Sequence, residues 1–180
     1  MSGAKLKKSH YLIIAIVALA IGHFAYIFLS PYVFMGVAMK RLSNGWTMTN
    51  QFIQGPQTTM HSRQIVRPSP DMAYSVCVYD LRNSSIHIRA APWDDYMSIS
   101  VFAANGDNIY SVNDREAPNG VDFVLEGPTY ATIAATDVET VYSPSMHGII
   151  LDRRLAPTKQ RFELAKVARQ NNICAPNTLK

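Results

Sequence analysis

A long stretch without charge dominates the amino-terminal part of this sequence. No Asp, Glu, Lys or Arg occurs between Ser9 and Met39. The most apolar part, residues 11–29, is 19 residues long. At ~1.5 Å per residue it would form about 28 Å of α-helix, which matches the ~30 Å hydrocarbon core of a bilayer. We therefore predict one transmembrane helix over residues 11–29, which Pro31 ends or kinks, or which continues toward residue 42.

A cleaved signal peptide is the alternative interpretation of this segment. Lys5, Lys7 and Lys8 resemble a basic n-region, and Ala18-Leu19-Ala20 has the small-x-small form of a cleavage site. The apolar residues, however, continue through Leu29, well beyond the roughly 7–15 residues of a signal peptide's apolar region. This length favours an uncleaved signal anchor that follows a basic cytoplasmic tail of residues 1–10.

The charge distribution indicates on which side of the membrane the rest of the chain lies. Residues 1–42 contain five basic and no acidic side chains, whereas residues 43–180 contain 12 basic and 13 acidic ones, giving +5 and −1. Lysines before the helix place the amino terminus in the cytoplasm under the positive-inside rule. We therefore expect a single-pass protein of the bacterial inner membrane with a periplasmic domain. Nucleic acid is not an expected partner, because its binders carry their excess positive charge on the folded domain.

The segment from residue 31 to residue 42 has no clean apolar face. It can continue the helix, or it can lie along the bilayer surface with Lys40 and Arg41 at the lipid headgroups. A simple connector is the third interpretation. Residues 43–62 are expected to connect this segment to the domain.

Residues 63–172 have the pattern of an all-β domain. Apolar and polar residues alternate with a period of two, and Asn105-Gly106 is a typical hairpin turn. Thr158 is suited to cap a helix that runs to about residue 171, and residues 173–180 are expected to form a tail. We predict an antiparallel sandwich or jelly-roll-like domain with one carboxy-terminal helix. The predicted strands are residues 73–81, 86–90, 96–103, 109–112, 121–125, 130–135, 140–142 and 148–155.

The chain contains two cysteines, Cys77 and Cys174. In an oxidising compartment they could pair and close a loop of about 97 residues, worth at most ~4.7 kcal/mol by the chain-entropy estimate. The alternative is a buried free Cys77 and an unpaired Cys174.

Several sequence blocks resemble the domain of unknown function 1254 family. The run RPSPDMAYS at residues 67–75, which leads into VYDL at 78–81, is similar to that family's opening motif. The run DYMSISVF at residues 95–102 and the later blocks around residues 127–128 and 143–154 follow in the family's order. The resemblance covers about residues 63–172.

The resemblance implies a β-rich domain without a settled biochemical activity. In longer members this domain is joined to a second β domain of the unknown function 1214 family, which has no counterpart in this sequence. A separate polypeptide that carries the 1214-type domain is therefore a candidate partner, by analogy.

Motifs of known chemistry are rare in this sequence. It contains no Gly-rich phosphate loop, no GxSxG, no HExxH and no CxxC, so we predict no cofactor, no metal site and no catalytic residue. The best polar candidates belong to the family-like motif, where Asp71 could pair with Arg67 and Tyr74 offers a phenol. In the structural alternative, Asp71 fixes the Pro-rich turn and Tyr74 packs in the core. The full candidate binding set is Arg67, Asp71, Tyr74, Tyr96 and Ser98.

These observations lead to one functional hypothesis and one alternative. The hypothesis is a non-catalytic envelope protein whose exported domain is a binding or accessory subunit of a membrane protein complex. The alternative is a small-ligand-binding or hydrolytic domain that uses a polar pocket around Asp71 and Tyr74, completed by a partner chain.

Overall fold

The computed structural model describes residues 8–59, 61–63, 67–128 and 138–177. The strand predicted at residues 130–135 lies outside the described residues. Within the described part, one long helix precedes a β-rich domain, and a short helix lies near the carboxy-terminal end.

The first helix, α1, extends from Lys8 to Leu42 and is 35 residues long. Its length and composition are sufficient for crossing a membrane. Pro31 lies inside the helix instead of ending it. A proline removes only one backbone hydrogen bond, and here the turns that follow it are held by packing against the β domain.

Two sheets form the β domain. The strands of the described residues are β1 Ile53–Gln54, β2 Met72–Asp80, β3 Ile86–Ala90, β4 Met97–Ala103, β5 Asn108–Asn113, β6 Val121–Glu126, β7 Glu139–Tyr142, β8 His147–Leu155 and β9 Ile173–Pro176. The first sheet has the strand order β1-β2-β8-β4-β5, and the second sheet has the order β7-β6-β3-β9. A second helix, α2, extends from Lys159 to Arg169.

The predicted fold class is confirmed, with one difference in strand direction. The domain is a mainly β sandwich with one carboxy-terminal helix, and β2 pairs with β8 in an antiparallel register over its whole length. The pairing of β6 with β7 is parallel, with Phe123 opposite Glu139. The second sheet is therefore mixed, which period-two alternation cannot reveal because it carries no information on strand direction.

Two short strands lie in segments that were expected to be irregular. β1 falls within the predicted connector and places Gln54 opposite Ser75. β9 falls within the predicted tail and places Cys174 opposite Ile88. Segments of two and four residues are too short to show alternation, so these strands exist because longer neighbours offer them a hydrogen-bonding edge.

The core lies between the two sheets. The inner face of β2 contributes Ala73, Cys77 and Tyr79, all with 0% exposure. Cys77 and Tyr79 belong to one apolar cluster with Ile88 of β3 and Phe123 of β6. Cys77 is bonded to Cys174. Because β2 belongs to the first sheet and β9 to the second, this disulfide joins the two layers across the core.

Helix α2 covers one open end of the sandwich. Its cap is the predicted one, since the backbone N–H of Arg161 donates to Thr158 Oγ1 at 3.2 Å. Phe162 and Ala165 are buried in a cluster with Ala73. The opposite face of the helix leaves large apolar side chains in solvent, namely Leu164 and Val167.

Candidate functional site

The last turns of α1 pack on the outer face of the first sheet. Ala38 and Met39 are only 6% and 5% exposed, and they form an apolar cluster with Val78 of β2 and Ile149 of β8. The helix also reaches the turn between β4 and β5, where a Cβ at Gly106 would lie 3.6 Å from Met35 Cγ. The helix and the domain are therefore joined by side-chain packing.

Lys40 and Arg41 lie in the final turn of this docked helix and are exposed. The residues that precede them on the same side of the helix are apolar and also exposed, including Val33 and Val37 at 60% and 45%. Of the three interpretations of residues 31–42, the structure has the one in which the helix continues through this segment. It puts two positive charges where the apolar surface of the helix ends, as lipid headgroups would require.

The candidate residues of the family-like motif separate into two groups. Arg67 and Asp71 are exposed before β2, and no ion pair joins them in the described part of the chain. Asp71 contacts the domain through its backbone, since its carbonyl accepts the N–H of Ala156 at 2.7 Å. Tyr96 is 41% exposed and likewise uses its carbonyl, which accepts the N–H of Leu155 at 2.8 Å.

Tyr74 and Ser98, in contrast, lie on one face of the first sheet, on the two strands that flank β8. Both lie opposite Arg153 in the register, Tyr74 on β2 and Ser98 on β4, so the three share the outer face of the first sheet. Tyr74 is only partly buried, and its phenol oxygen accepts the N–H of Ser69 at 2.9 Å. The Pro-rich turn is therefore held by Tyr74 and not by the Asp71 side chain.

Ser98 lies on the outer face of its strand, but it is only 2% exposed. Neither Ser98 Oγ nor Arg153 Nε has a hydrogen-bond partner among the described residues. Arg153 does donate from Nη2 to Ser100 Oγ at 3.2 Å. These buried polar atoms make the outer face beside Tyr74 a polar patch next to the apolar area that α1 covers.

A buried ionic group that the sequence did not suggest lies on the inner face of β8. Arg154 and Asp152 are both 0% exposed, with Arg154 Nε 3.2 Å from Asp152 Oδ1. Asn172, which follows α2, donates from Nδ2 to Asp152 Oδ2 at 2.8 Å and accepts from Arg154 Nη2 at 3.1 Å. The three side chains form one closed hydrogen-bonded group inside the sandwich.

Arg169 of α2 brings a second buried guanidinium to the same region. It is 1% exposed and donates from Nη1 to Ser75 Oγ at 3.3 Å and to the carbonyl of Tyr74. Burial lowers the pKa of Arg169, while the negative charge of Asp152 opposes this shift. Burial also raises the pKa of Asp152, against the influence of Arg154 and Asn172. The interior here thus contains two guanidinium groups and one carboxylate, and Asp152 forms its ion pair with Arg154.

The signal for this group in the sequence is weak. Asp152 and Arg154 are two residues apart on a strand, which is typical of a solvated face. Ile150 has the same side-chain direction and is fully buried, so the alternation does put them on the core side. The polar partner of these two side chains, Asn172, follows α2 and becomes their neighbour only when α2 packs on the sandwich.

Two histidines of the β domain each lie beside one carboxylate. His87 Nε2 lies 2.7 Å from Asp122 Oδ1, and His147 Nε2 lies 3.4 Å from Asp80 Oδ1. The described residues contain no group of three or more His, Cys, Asp or Glu side chains that could hold a metal ion.

Comparison with known proteins gives the fold and the family. The chain is similar to the VPA0106 protein from Vibrio parahaemolyticus, with a TM-score of 0.58 and 11% identity over 81% of this chain. A putative uncharacterized protein from Burkholderia cenocepacia has a TM-score of 0.45 and 15% identity over 64% of this chain. The chain spans 37% and 33% of these two proteins, respectively. No curated protein matches the sequence.

The match to a family model is more extensive than the resemblance seen in the sequence. The model for proteins of unknown function DUF1254 matches residues 49–175. This range includes β1 and all but the last residue of β9, the two strands that lie at the sheet edges beyond the predicted domain. Because the match covers more than half of the chain, this protein belongs to the DUF1254 family.

Proposed function

We propose that the β domain is a non-catalytic binding module, an accessory subunit of a membrane protein complex, held by a single membrane span. One observation supports this proposal above all. The apolar helix that would cross the membrane continues into the domain and packs on it through Ala38 and Met39. An anchor of this kind sets the height and orientation of the domain, so a partner in the same membrane meets it already oriented, which lowers the entropic cost of association.

A periplasmic location is part of the proposal. The disulfide between Cys77 and Cys174 supports it, because disulfides form and persist in oxidising compartments such as the periplasm. The helix carries exposed apolar side chains after the cleavage-like run Ala18-Leu19-Ala20, such as Phe24 and Phe28 at 59% and 69%. These side chains favour an anchor helix that stays in the membrane uncleaved. Cleavage after Ala20 would leave these side chains in water.

The proposed partner is a companion chain that carries the second domain. This chain spans only 37% of the VPA0106 protein, so in that neighbour the matching fold is accompanied by further protein. The family resemblance implies that a 1214-type domain follows in longer members. We propose that a separate membrane-anchored polypeptide supplies that domain here.

The exposed face of α2 is the surface that we assign to this contact. Leu164 and Val167 are 51% and 61% exposed, and they lie three residues apart on one side of the helix. A companion domain that covers these side chains would bury apolar area that now faces water.

The proposal is tested by purifying the tagged full-length protein from native membranes in mild detergent. We expect a companion chain with a 1214-type domain in equal molar amount, identified by mass spectrometry and by the mass of the complex on gel filtration. Val167→Glu should remove it, because a charge would be buried against an apolar partner.

Asn108→Glu is the matched control, since Asn108 is exposed on the edge strand β5 and the substitution adds the same charge. It should retain the companion chain. A monodisperse monomer in every detergent would refute the proposal. Equal retention of the companion by both variants would refute the assignment to α2.

A further inference from the structure

A pocket near the carboxy-terminal end of α2 lies directly against the buried ionic group. Its volume is about 690 Å³, and it is formed by residues of β3, the turn before β6 and the segment that links α2 to β9. The side chains that give the pocket its polar character are Arg89, Asn119, Gln170, Asn171 and Asn172.

Two residues that line this pocket accept hydrogen bonds from Arg154, which lies on the interior side of the pocket wall. Arg154 Nη2 donates to the Ala91 carbonyl at 2.9 Å and to Asn172 Oδ1 at 3.1 Å. Ala91 and Asn172 both line the pocket. The Arg154 guanidinium, which is fully buried, therefore lies immediately beneath the pocket surface.

The interior beneath this wall carries more positive than negative charge. Arg154 forms an ion pair with Asp152, whereas Arg169 is hydrogen-bonded to Ser75 and to backbone carbonyls. Among the described residues, Arg154 Nη1 and Arg169 Nη2 have no hydrogen-bond partner. An excess of buried positive charge acts at long range, because the protein interior screens it far less than water does.

The described lining of the pocket contains one basic side chain, Arg89, and one acidic side chain, Asp122. Asp122 lies 2.7 Å from His87 and 3.9 Å from Arg89, so its charge is shared between two neighbours and the buried guanidinium groups leave the region with a positive excess. Of the pocket amides, Asn172 is already hydrogen-bonded to Asp152 and Arg154. The side-chain amides of Asn119, Gln170 and Asn171 can donate hydrogen bonds to an oxygen ligand. Charge and hydrogen-bonding capacity thus match an oxyanion.

We propose that this pocket binds a small polar molecule through a carboxylate or phosphate group, with Arg89 and the pocket amides in direct contact and Arg154 and Arg169 supplying the electrostatic field. The site lies apart from the anchor helix. It goes beyond the proposed accessory role and does not depend on it.

The test uses the full-length protein in detergent, titrated separately with inorganic phosphate and with acetate at constant ionic strength set by sodium chloride. Side-chain amide resonances of Asn and Gln report occupancy of the pocket, and the midpoint of thermal unfolding reports stabilisation. We expect a saturable response to at least one of the two anions. A response to phosphate alone assigns a phosphate ligand, and a response to acetate alone assigns a carboxylate ligand.

Arg89→Gln should weaken the binding of the responding anion about fivefold, the effect of about 1 kcal/mol expected for one partly exposed charge. Arg89 is 61% exposed, so the variant should fold. Arg82→Gln is the matched control, because Arg82 is 64% exposed and lies outside the pocket. It should bind the anion as the unaltered protein does.

Asn119→Asp provides a second variant, since it adds a negative charge to the pocket in an Asn-Gly turn where Asp is also tolerated. It too should weaken binding. The proposal is wrong if neither anion gives a larger response than chloride, or if the Arg82 and Arg89 variants lose affinity equally.

Discussion

At the scale of single residues, one close approach in the core decides which side chain is allowed. The Tyr79 hydroxyl donates to the Phe102 carbonyl at 3.1 Å and lies 2.9 Å from Ser143 Oγ, and burial raises the pKa of this phenol. Gly148 lies beside this group, where an added Cβ would overlap both the Phe102 carbonyl oxygen and the Tyr79 hydroxyl. Glycine is required here because the atoms on both sides belong to a fixed hydrogen bond.

Gly148→Ala should therefore lower the free energy of unfolding by about 3 kcal/mol, the upper part of the range for overpacked cores. Urea denaturation followed by circular dichroism measures the change. Gly36→Ala is the control, because Gly36 lies in helix α1 and an added Cβ there would meet nothing within 4 Å. If both variants unfold at the same urea concentration, the close approach at Gly148 does not exist as described.

At the scale of elements, α1 has two environments along one continuous helix. Its first part is exposed and apolar on all sides, whereas Ala38 and Met39 in its last turns are buried against β2 and β8. Membrane crossing and domain docking are therefore carried by one element. The stability of its carboxy-terminal turns depends on packing, because helix propensity alone seldom stabilises a helix end.

Met39→Asn should release these turns and speed tryptic cleavage after Lys40 and Arg41 about tenfold, as a local loss of 1–2 kcal/mol would produce. Val37→Asn is the control, since Val37 is on the same helix but 45% exposed. The cleavage rate of the control should stay close to that of the unaltered protein. Equal rates in the two variants would show that α1 is not held by the sheet.

At the scale of the whole molecule, the disulfide adds a covalent bond between two sheets that also meet through apolar packing and buried hydrogen bonds. Cys77 belongs to the first sheet and Cys174 to the second, and 97 residues separate them in sequence. A long loop closed in this way restricts the unfolded chain strongly, which favours the folded state.

Replacing both cysteines by serine should lower the free energy of unfolding by about 2–4 kcal/mol. Reductant should destabilise the unaltered protein by a similar amount and leave the double variant unchanged, which separates the effect of the bond from that of the substitutions. Thiol labelling of the unfolded, unreduced protein should label neither cysteine. Labelling of both would contradict the bond.

Most of the fold could be predicted because its signals are local. Strand β3 lies at the predicted residues 86–90, and α2 begins after the predicted cap at Thr158. Strands β1 and β9 could not be predicted, because a short strand is stable only beside a longer neighbour. The parallel direction of β7 likewise depends on chain connections far apart in sequence.

The candidate site was predicted only in part. Tyr74 and Ser98 do share one face, but the residue between them, Arg153, comes from a strand more than 50 positions later. The buried group around Arg154 was not predicted at all. Its members lie on β8, on α2 and after α2, and a polar strand position has the same appearance in the sequence whether water or another side chain satisfies it.

The amino-acid sequence by itself determined the apolar helix, the alternating strands and their turns, because these follow from periodicity and side-chain chemistry within a few neighbouring residues. The tertiary structure alone decided which charged side chains are buried, which short segments become edge strands and where α1 meets the sheet. Each of these depends on partners that are distant in sequence and become neighbours only when the two sheets and the helices pack together.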